Sequence, residues 1–128
     1  MVNEKVLEVT DVLKTEIING IQEKKGKEIV CLNLAKINST VCDYFVICHG
    51  TSNTHVSSIA DAVEETVQKH TGVKPRRREG FANAEWLLLD YLDIVVHIFQ
   101  EDVRNYYRIE DLWADAPAEY INDASPEM

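Results

Sequence analysis

The sequence has no apolar run that approaches the roughly 18 residues needed for a membrane-spanning helix. Its first positions also lack a basic segment followed by an apolar one, and they carry acidic residues instead. A secretion or organelle signal has the opposite pattern. We therefore expect a cytoplasmic protein that makes no contact with a membrane.

Cysteine is scarce: there are three residues, an odd number, and no Cys-x-x-Cys pair. Cys31 and Cys48 fall within apolar patterns typical of strands, so we expect reduced, buried thiols. Cys48 beside His49 is a weak indication of a catalytic thiolate, because neighbouring strand residues face opposite ways. Cys48, His49 and His55 match no strong zinc spacing. The sequence predicts neither a metal nor another cofactor.

Positively charged residues are few: there are 13 lysines and arginines against 22 acidic residues, and the net charge is −9. This balance argues against binding along the phosphate backbone of a nucleic acid, and it favours a basic protein partner. The one basic run, Lys74 and Arg76–Arg78, leaves two interpretations open. It can make a peripheral contact with RNA phosphates, or it can form a solvated sheet edge that discourages strand pairing.

The chain is long enough for one domain with a substantial core. Hydrophobic periodicity predicts these elements in order: a helix over 4–24, strands over 28–37 and 43–48, a helix over 54–70 begun by Ser52 or Asn53, an edge strand or loop over 73–79, strands over 86–91 and 94–99, and one broken helix or two short ones over 101–113. The predicted class is α/β: a single domain with a mixed β-sheet and helices packed on it. We place the domain at 1–114 and an acidic, mobile tail at 115–128, which contains no lysine or arginine.

The stretch from Glu85 to Gln100 organises the rest of the chain. Its two apolar runs are separated by a link so short that they must pair as an antiparallel hairpin. Alternate residues of the second run face opposite sides, yet both sides are largely apolar, which predicts a strand near the middle of the sheet. His97 lies within that strand and is expected to be buried and hydrogen-bonded rather than a catalytic base.

A nucleotidyl-transfer site is the enzyme alternative. Gly50-Thr51-Ser52 lies between a strand and a helix, where backbone N–H groups can hold phosphate. Such enzymes also need clustered carboxylates for magnesium. Asp90 and Asp93 are three positions apart, and this spacing does not place both on one strand face. A helix N-cap after a tight turn is the simpler interpretation of the glycine segment.

Aromatic residues alternate with acids in the second half of the chain. The aromatic residues are Trp86, Tyr91, Tyr106, Tyr107 and Trp113, and the acids include Asp90, Asp93, Glu110 and Asp111. Most of these rings are expected in the core. A few exposed rings bordered by acids would anchor a basic protein surface. The residues themselves thus favour a small acidic binding module.

Several separated motifs resemble the ribosomal silencing factors, the RsfS/Iojap family. They are CDYFVICHGTSNTHVSSIAD at 42–61, REG at 78–80 and EWLLLDYLDIVVHIFQEDVRNYYRIEDLW at 85–113. The family pattern includes DYFVIC-x-G-x-S, W-x-LLDYGD-x-VVHIF and R-x-YY-x-LE-x-LW in this order. Leu92 stands where the family usually has glycine, and a left-handed turn conformation there would strain a leucine.

The resemblance implies a fold like that of the nucleotidyltransferases without the catalytic acids, and therefore a protein that is not an enzyme. It implies binding to ribosomal protein fourteen of the large subunit, on the face that joins the small subunit. Blocking subunit association would lower translation when nutrients are limited. Carried over to this chain, the contact surface would include Trp86, Asp90, Asp93, Tyr107 and Glu110, and Trp86→Ala would weaken binding without unfolding the protein. Some members are thought to self-associate, which leaves a homodimer open.

Overall fold

The computed structural model of the chain describes residues 4–39 and 41–122, with side chains described from residue 9 onward. Its elements are α1 (Glu4–Glu23), β1 (Lys27–Asn33), β2 (Tyr44–Gly50), α2 (Asn53–Thr71), β3 (Arg77–Glu79), β4 (Trp86–Asp90), β5 (Ile94–Gln100), α3 (Glu101–Tyr107), α4 (Ile109–Leu112) and β6 (Ala118–Ile121). Within these ranges, no helix is long and apolar enough to cross a membrane.

The strands form one mixed sheet in the order β3-β4-β5-β2-β1-β6. β2 and β5 run parallel, with Tyr44 opposite Ile94 and Gly50 opposite Gln100. The other neighbouring pairs are antiparallel, including the β4–β5 hairpin. The predicted α/β class, the hairpin and the interior position of β5 are confirmed.

The two long helices cover one face of the sheet. Ile17 of α1 and Ile59 of α2 are fully buried against it, together with Val96 and Ile98 of β5. The helices pack closely because Gly20 has no side chain: a Cβ there would lie 2.7 Å from the Cα atom of Val63. Ser52 begins α2 as predicted, since its hydroxyl accepts a hydrogen bond from the His55 N–H at 3.1 Å.

The opposite face of the sheet has a thinner cover. α3, α4 and the segments around them bury Val30, Ile47, Val95 and Phe99 in a second apolar cluster. Trp86 and Leu88 project from β4 on this side and are only half-buried. The face opposite the long helices therefore remains partly open along β4 and β5.

The first predicted strand is shorter than expected. β1 ends at Asn33, and Leu34–Ile37 is a turn of 3₁₀ helix. The Asn33 side chain causes the change because its Oδ1 accepts a hydrogen bond from the Lys36 N–H at 3.2 Å. Asn38 ends the turn in a left-handed conformation with φ of +58°.

The segment predicted as a mobile tail contains an ordered strand. β6 pairs antiparallel with β1, from Ile29 opposite Ile121 to Leu32 opposite Ala118. The Asn33 N–H also donates to the Pro117 carbonyl at 2.9 Å. Residues 118–121 of the predicted tail therefore form a strand, because backbone hydrogen bonds to β1 hold a sequence with little apolar periodicity. The proposed domain boundary at 114 stays a prediction, and residues 123–128 lie outside the described ranges.

Candidate partner-binding surface

Six rings form a connected set on the open side of the sheet, which we call the aromatic face. Its members are Phe45, Trp86, His97, Phe99, Tyr107 and Trp113. Trp86 stacks on Phe99 with 4.8 Å between ring centroids, and it meets Tyr107 at 5.1 Å. Trp86 and Tyr107, two of the predicted contact residues, are thus brought together from different elements.

Trp86 is held by a hydrogen bond as well as by stacking. Its indole N–H donates to Nδ1 of His97 at 3.1 Å. Burial lowers the pKa of His97 to about 4, so the ring is neutral at pH 7. The predicted buried, hydrogen-bonded histidine is confirmed. Trp86→Ala would remove both contacts, so this substitution cannot separate binding from stability.

Tyr107 lies at the C-terminal end of α3 and is 52% exposed. The neighbouring Tyr106 is 79% exposed and packs edge-on against it, with 5.0 Å between centroids. Arg108 ends the helix in a left-handed conformation, with φ of +47°. Tyr106 and Tyr107 therefore add an accessible border to the half-buried ring of Trp86.

Asp90 and Asp93 lie at the hairpin turn, at the other end of β4 from Trp86, about 13 Å along the strand. Asp90 is only 3% exposed. Its Oδ1 accepts from the Leu92 N–H at 2.8 Å, and its Oδ2 accepts from Arg76 Nε at 3.2 Å. Leu92 has φ of +78°, the left-handed conformation that glycine adopts easily and that strains a leucine. Glycine is the residue that the RsfS/Iojap pattern usually has at this position. Asp90 thus holds the turn, whereas Asp93 is exposed.

Glu110 occupies a third location. It binds Arg104 of α3, with Oε2 at 2.8 Å from Nη2. Arg104 is buried and also donates to His49 Nδ1 at 3.0 Å. Glu110 therefore fastens α4 to α3 and the sheet, and it remains half-exposed.

A polar cluster that the sequence did not predict lies beside Arg104. Carboxylate oxygens of Glu28 and Glu101 are 3.8 and 3.9 Å from His49 Nε2. Arginine has donors only, so Nδ1 of His49 accepts and Nε2 of the neutral ring carries the proton. That proton is directed to the carboxylates, an arrangement that opposes metal ligation by Nε2. The three residues are far apart in the chain, so no local spacing could have revealed them.

The residues of the nucleotidyl-transfer alternative do not converge. Gly50 lies at the C-terminal end of β2. Asp93 lies just before β5, whose first residue is opposite the N-terminal end of β2, so Gly50 and Asp93 are about 20 Å apart along the strands. The Thr51 N–H donates to His55 Nδ1 at 2.9 Å, and Ser52 caps α2. The glycine segment thus serves the local structure, as its simpler interpretation predicts.

The cysteine thiols are buried and free. Desolvation raises the pKa of Cys31 and Cys42 to about 11, and that of Cys48 to about 12. All three are therefore protonated at neutral pH, and the expectation of reduced, buried thiols is confirmed. Cys48 and His49 point to opposite faces of the sheet, so they do not form a nucleophile–base pair.

Known proteins are similar to this chain in sequence and in fold. Residues 8–128 match the family model described as "Ribosomal silencing factor during starvation". The chain is 42% identical over 100 residues to the ribosomal silencing factor RsfS of Halalkalibacterium halodurans, covering 78% of this chain and 84% of the relative. A crystal structure from Chromobacterium violaceum has a TM-score of 0.76 and 30% identity, covering 90% of this chain and 94% of that one.

A more distant relative is the mouse protein named "Mitochondrial assembly of ribosomal large subunit protein 1", which is 26% identical over 102 residues. The match covers 76% of this chain and 43% of the mouse protein. The family role is ribosome silencing, and the family is not one of enzymes. On the family match and the identity to RsfS, the chain belongs to the ribosomal silencing factor family.

Proposed function

We propose that this protein represses translation by binding the large ribosomal subunit through its ribosomal protein fourteen, and that it thereby blocks association with the small subunit when nutrients are limited. The observation that carries the proposal is the aromatic face, with Trp86 half-buried and Tyr107 exposed on the side of the sheet that the long helices leave open. Its mechanism is steric: occupation of the joining face is sufficient, and no chemical step is needed.

The aromatic face has the properties of a binding hot spot. Large aromatic side chains dominate the energetics of protein interfaces, particularly where they are surrounded by well-packed neighbours. Trp86 is held by Phe99 and by its hydrogen bond to His97, so binding would cost little additional side-chain entropy. Leu88, also half-buried, shares a shallow cavity with Trp86 and extends the apolar surface along β4.

Charge supports a basic protein as the partner. The net charge is −9, and Glu79 borders the cavity beside Trp86. Opposite fields accelerate encounter and are screened by salt. We therefore expect binding to weaken as the salt concentration rises. The large-subunit assignment is further supported by the name of the mouse relative.

Contact with ribosomal RNA by the arginine run is a peripheral element of the proposal. Arg76 is paired with Asp90, Arg77 with Glu79, and Arg78 with Glu64. These ion pairs reduce the positive field that phosphates would meet. The arrangement favours the interpretation of a charged edge at β3, and RNA contact remains secondary to protein contact.

Co-sedimentation with isolated large subunits tests the proposal. Tyr107→Ala should release the protein into the supernatant, whereas Tyr120→Ala, which removes an 81% exposed tyrosine from β6 at the far edge of the sheet, should pellet like the parent protein. Excess isolated ribosomal protein fourteen should compete. If the parent protein stays in the supernatant at low salt, or if both variants pellet equally, the proposed surface is wrong.

Self-association stays a prediction of the resemblance. Sedimentation equilibrium of the purified protein, with and without large subunits present, would establish whether a dimer forms and whether it is the form that binds. We also propose a cytoplasmic location, because a factor that blocks the joining of ribosomal subunits must be in the same compartment as those subunits.

A further inference from the structure

Tyr107 of the aromatic face belongs to a short helix that has little apolar support. α3 has seven residues, too few for a helix that is stable on its own in water. The structure describes all seven: Arg104 is the one that is buried, Val103 is half-buried, and the others are exposed. Apolar packing therefore contributes little to holding α3 and Tyr107 on the sheet.

The Arg104 guanidinium group binds three other elements at once. On one edge, Nε and Nη2 donate to the two carboxylate oxygens of Glu110 in α4, at 3.4 and 2.8 Å. On the other, Nη1 donates to His49 Nδ1 of β2 at 3.0 Å and to the Lys27 carbonyl of β1 at 3.4 Å. A guanidinium group is planar and its donors have fixed directions, so bonds along both edges fix its orientation. Arg104 therefore joins α3 to α4, β1 and β2.

Arg104 is linked to Tyr107 through the backbone of one helical turn. Residues three apart lie on neighbouring parts of a helix surface, so the anchoring of Arg104 sets the direction in which Tyr107 projects. The Arg104 carbonyl also accepts from the Arg108 N–H at 2.8 Å, which closes the last turn of α3. Tyr107 meets the Trp86 ring at 5.1 Å but is itself 52% exposed. Its own packing thus leaves its position dependent on the helix.

We propose that Arg104 is a positioning residue for the partner-binding surface, and that Glu110 supports binding by holding Arg104 rather than by touching the partner. This inference rests on the proposed function. With the Arg104 bonds intact, α3 keeps Tyr107 beside Trp86. With these bonds weakened, α3 occupies that position in a smaller fraction of the molecules, and the apparent affinity for the partner falls by the same factor.

A role in folding alone has a different consequence. If Arg104 only stabilises the fold, its substitution affects binding through the fraction of unfolded molecules, which is negligible well below the thermal midpoint. A positioning role lowers the affinity of the folded protein. Affinities are therefore compared at a temperature where the thermal midpoint and far-ultraviolet circular dichroism show that each variant is folded.

Arg104→Lys tests the positioning role, because it retains the positive charge and removes the planar set of donors. Titration with large subunits at low salt measures the affinities, including the weak one of Tyr107→Ala. We expect about a fivefold loss in Arg104→Lys, the result of weakening charged hydrogen bonds. In the Tyr107→Ala protein the same substitution should cost nothing further, because the residue that Arg104 positions is absent. Equal losses in the two proteins, or no loss in either, overturn the positioning role.

Two adjacent acids of α4 separate positioning from charge. Glu110→Gln and Asp111→Asn each remove one negative charge, so the attraction to a basic partner weakens alike in both. Asp111, however, pairs with Arg108 in an exposed bridge at 2.7 Å. We expect a loss of about fivefold in Glu110→Gln and of less than about twofold in Asp111→Asn. Equal losses would overturn the proposal, and so would a further loss from Glu110→Gln in the Tyr107→Ala protein, which would indicate direct contact.

NMR spectroscopy of the free protein tests the placement of Tyr107 without ribosomes. Nuclear Overhauser contacts between the rings of Tyr107 and Trp86 should weaken in Arg104→Lys and in Glu110→Gln. Contacts between Trp86 and Phe99, both in the sheet, should persist and show that the variant is folded. Unchanged contacts of Tyr107 in a folded variant overturn the positioning role.

The outcomes distinguish this inference from the proposed function. If the parent protein binds large subunits and the variants of Arg104 and Glu110 bind equally well, the positioning role is overturned while the proposed function stands. If the parent protein itself fails to bind at low salt, the proposed function is overturned, and the positioning role in binding with it.

Discussion

Acidification should destabilise this protein through His97. Burial lowers the pKa of His97 to about 4 in the folded state, whereas an unfolded histidine has a pKa of about 6.5. Between these values the unfolded chain binds a proton that the folded protein does not. The contribution of His97 to stability is therefore complete above pH 6.5, and it is lost as the pH falls toward 4.

The two pKa values give a free-energy loss of about 2 kcal/mol between pH 7.5 and pH 5.0. Urea unfolding followed by tryptophan fluorescence at both values measures it. His97→Asn is the matched control, because it lacks the titrating group and retains an acceptor for Trp86. Carboxylate titration is common to both proteins and cancels. An equal pH dependence in the parent protein and the variant would refute the reasoning.

Three further predictions concern stability and reactivity. Leu92→Gly should raise the free energy of unfolding by about 1 kcal/mol, because glycine adopts φ of +78° without strain and the exposed leucine side chain contributes little packing. Thermal denaturation measures this, and an unchanged midpoint would contradict it. Arg104→Met should lower the free energy of unfolding by about 2 kcal/mol in urea denaturation, because Glu110 and His49 lose a charged donor while Glu110 keeps partial access to water; a loss below about 0.5 kcal/mol would show a weak pair. Cys48 should resist a thiol reagent at pH 8 until urea unfolds the chain, since desolvation raises its pKa to about 12, and rapid labelling of the native protein would oppose that.

Local periodicity was sufficient to predict most of the fold. The nearly continuous apolar run of β5, apolar on both of its faces, predicted an interior strand, and Ser52 marked the start of α2, because both signals depend on neighbours in sequence. β6 was not predicted, because it is held by backbone hydrogen bonds to β1, a strand that is distant in the sequence. β6 is the last strand of the sheet and most of its side chains are exposed, so its sequence needs little apolar patterning.

The site was less predictable than the fold. The motifs identified Trp86 and Tyr107, but their contact depends on how α3 returns across the sheet. The burial of Asp90 could not be predicted from the sequence, because its hydrogen-bond partners are Arg76, in the loop before β3, and the N–H of Leu92. The roles of these residues in binding stay predictions, as does that of the exposed Asp93.

Formation of whole ribosomes from isolated subunits tests the central claim most directly. Large subunits are incubated with the protein, small subunits are then added, and the products are separated on a sucrose gradient. The account predicts that the parent protein and Tyr120→Ala reduce the whole-ribosome peak, and that folded Tyr107→Ala reduces it much less at the same concentration. Whole ribosomes that form undiminished while the parent protein remains on the large subunit would contradict the steric mechanism.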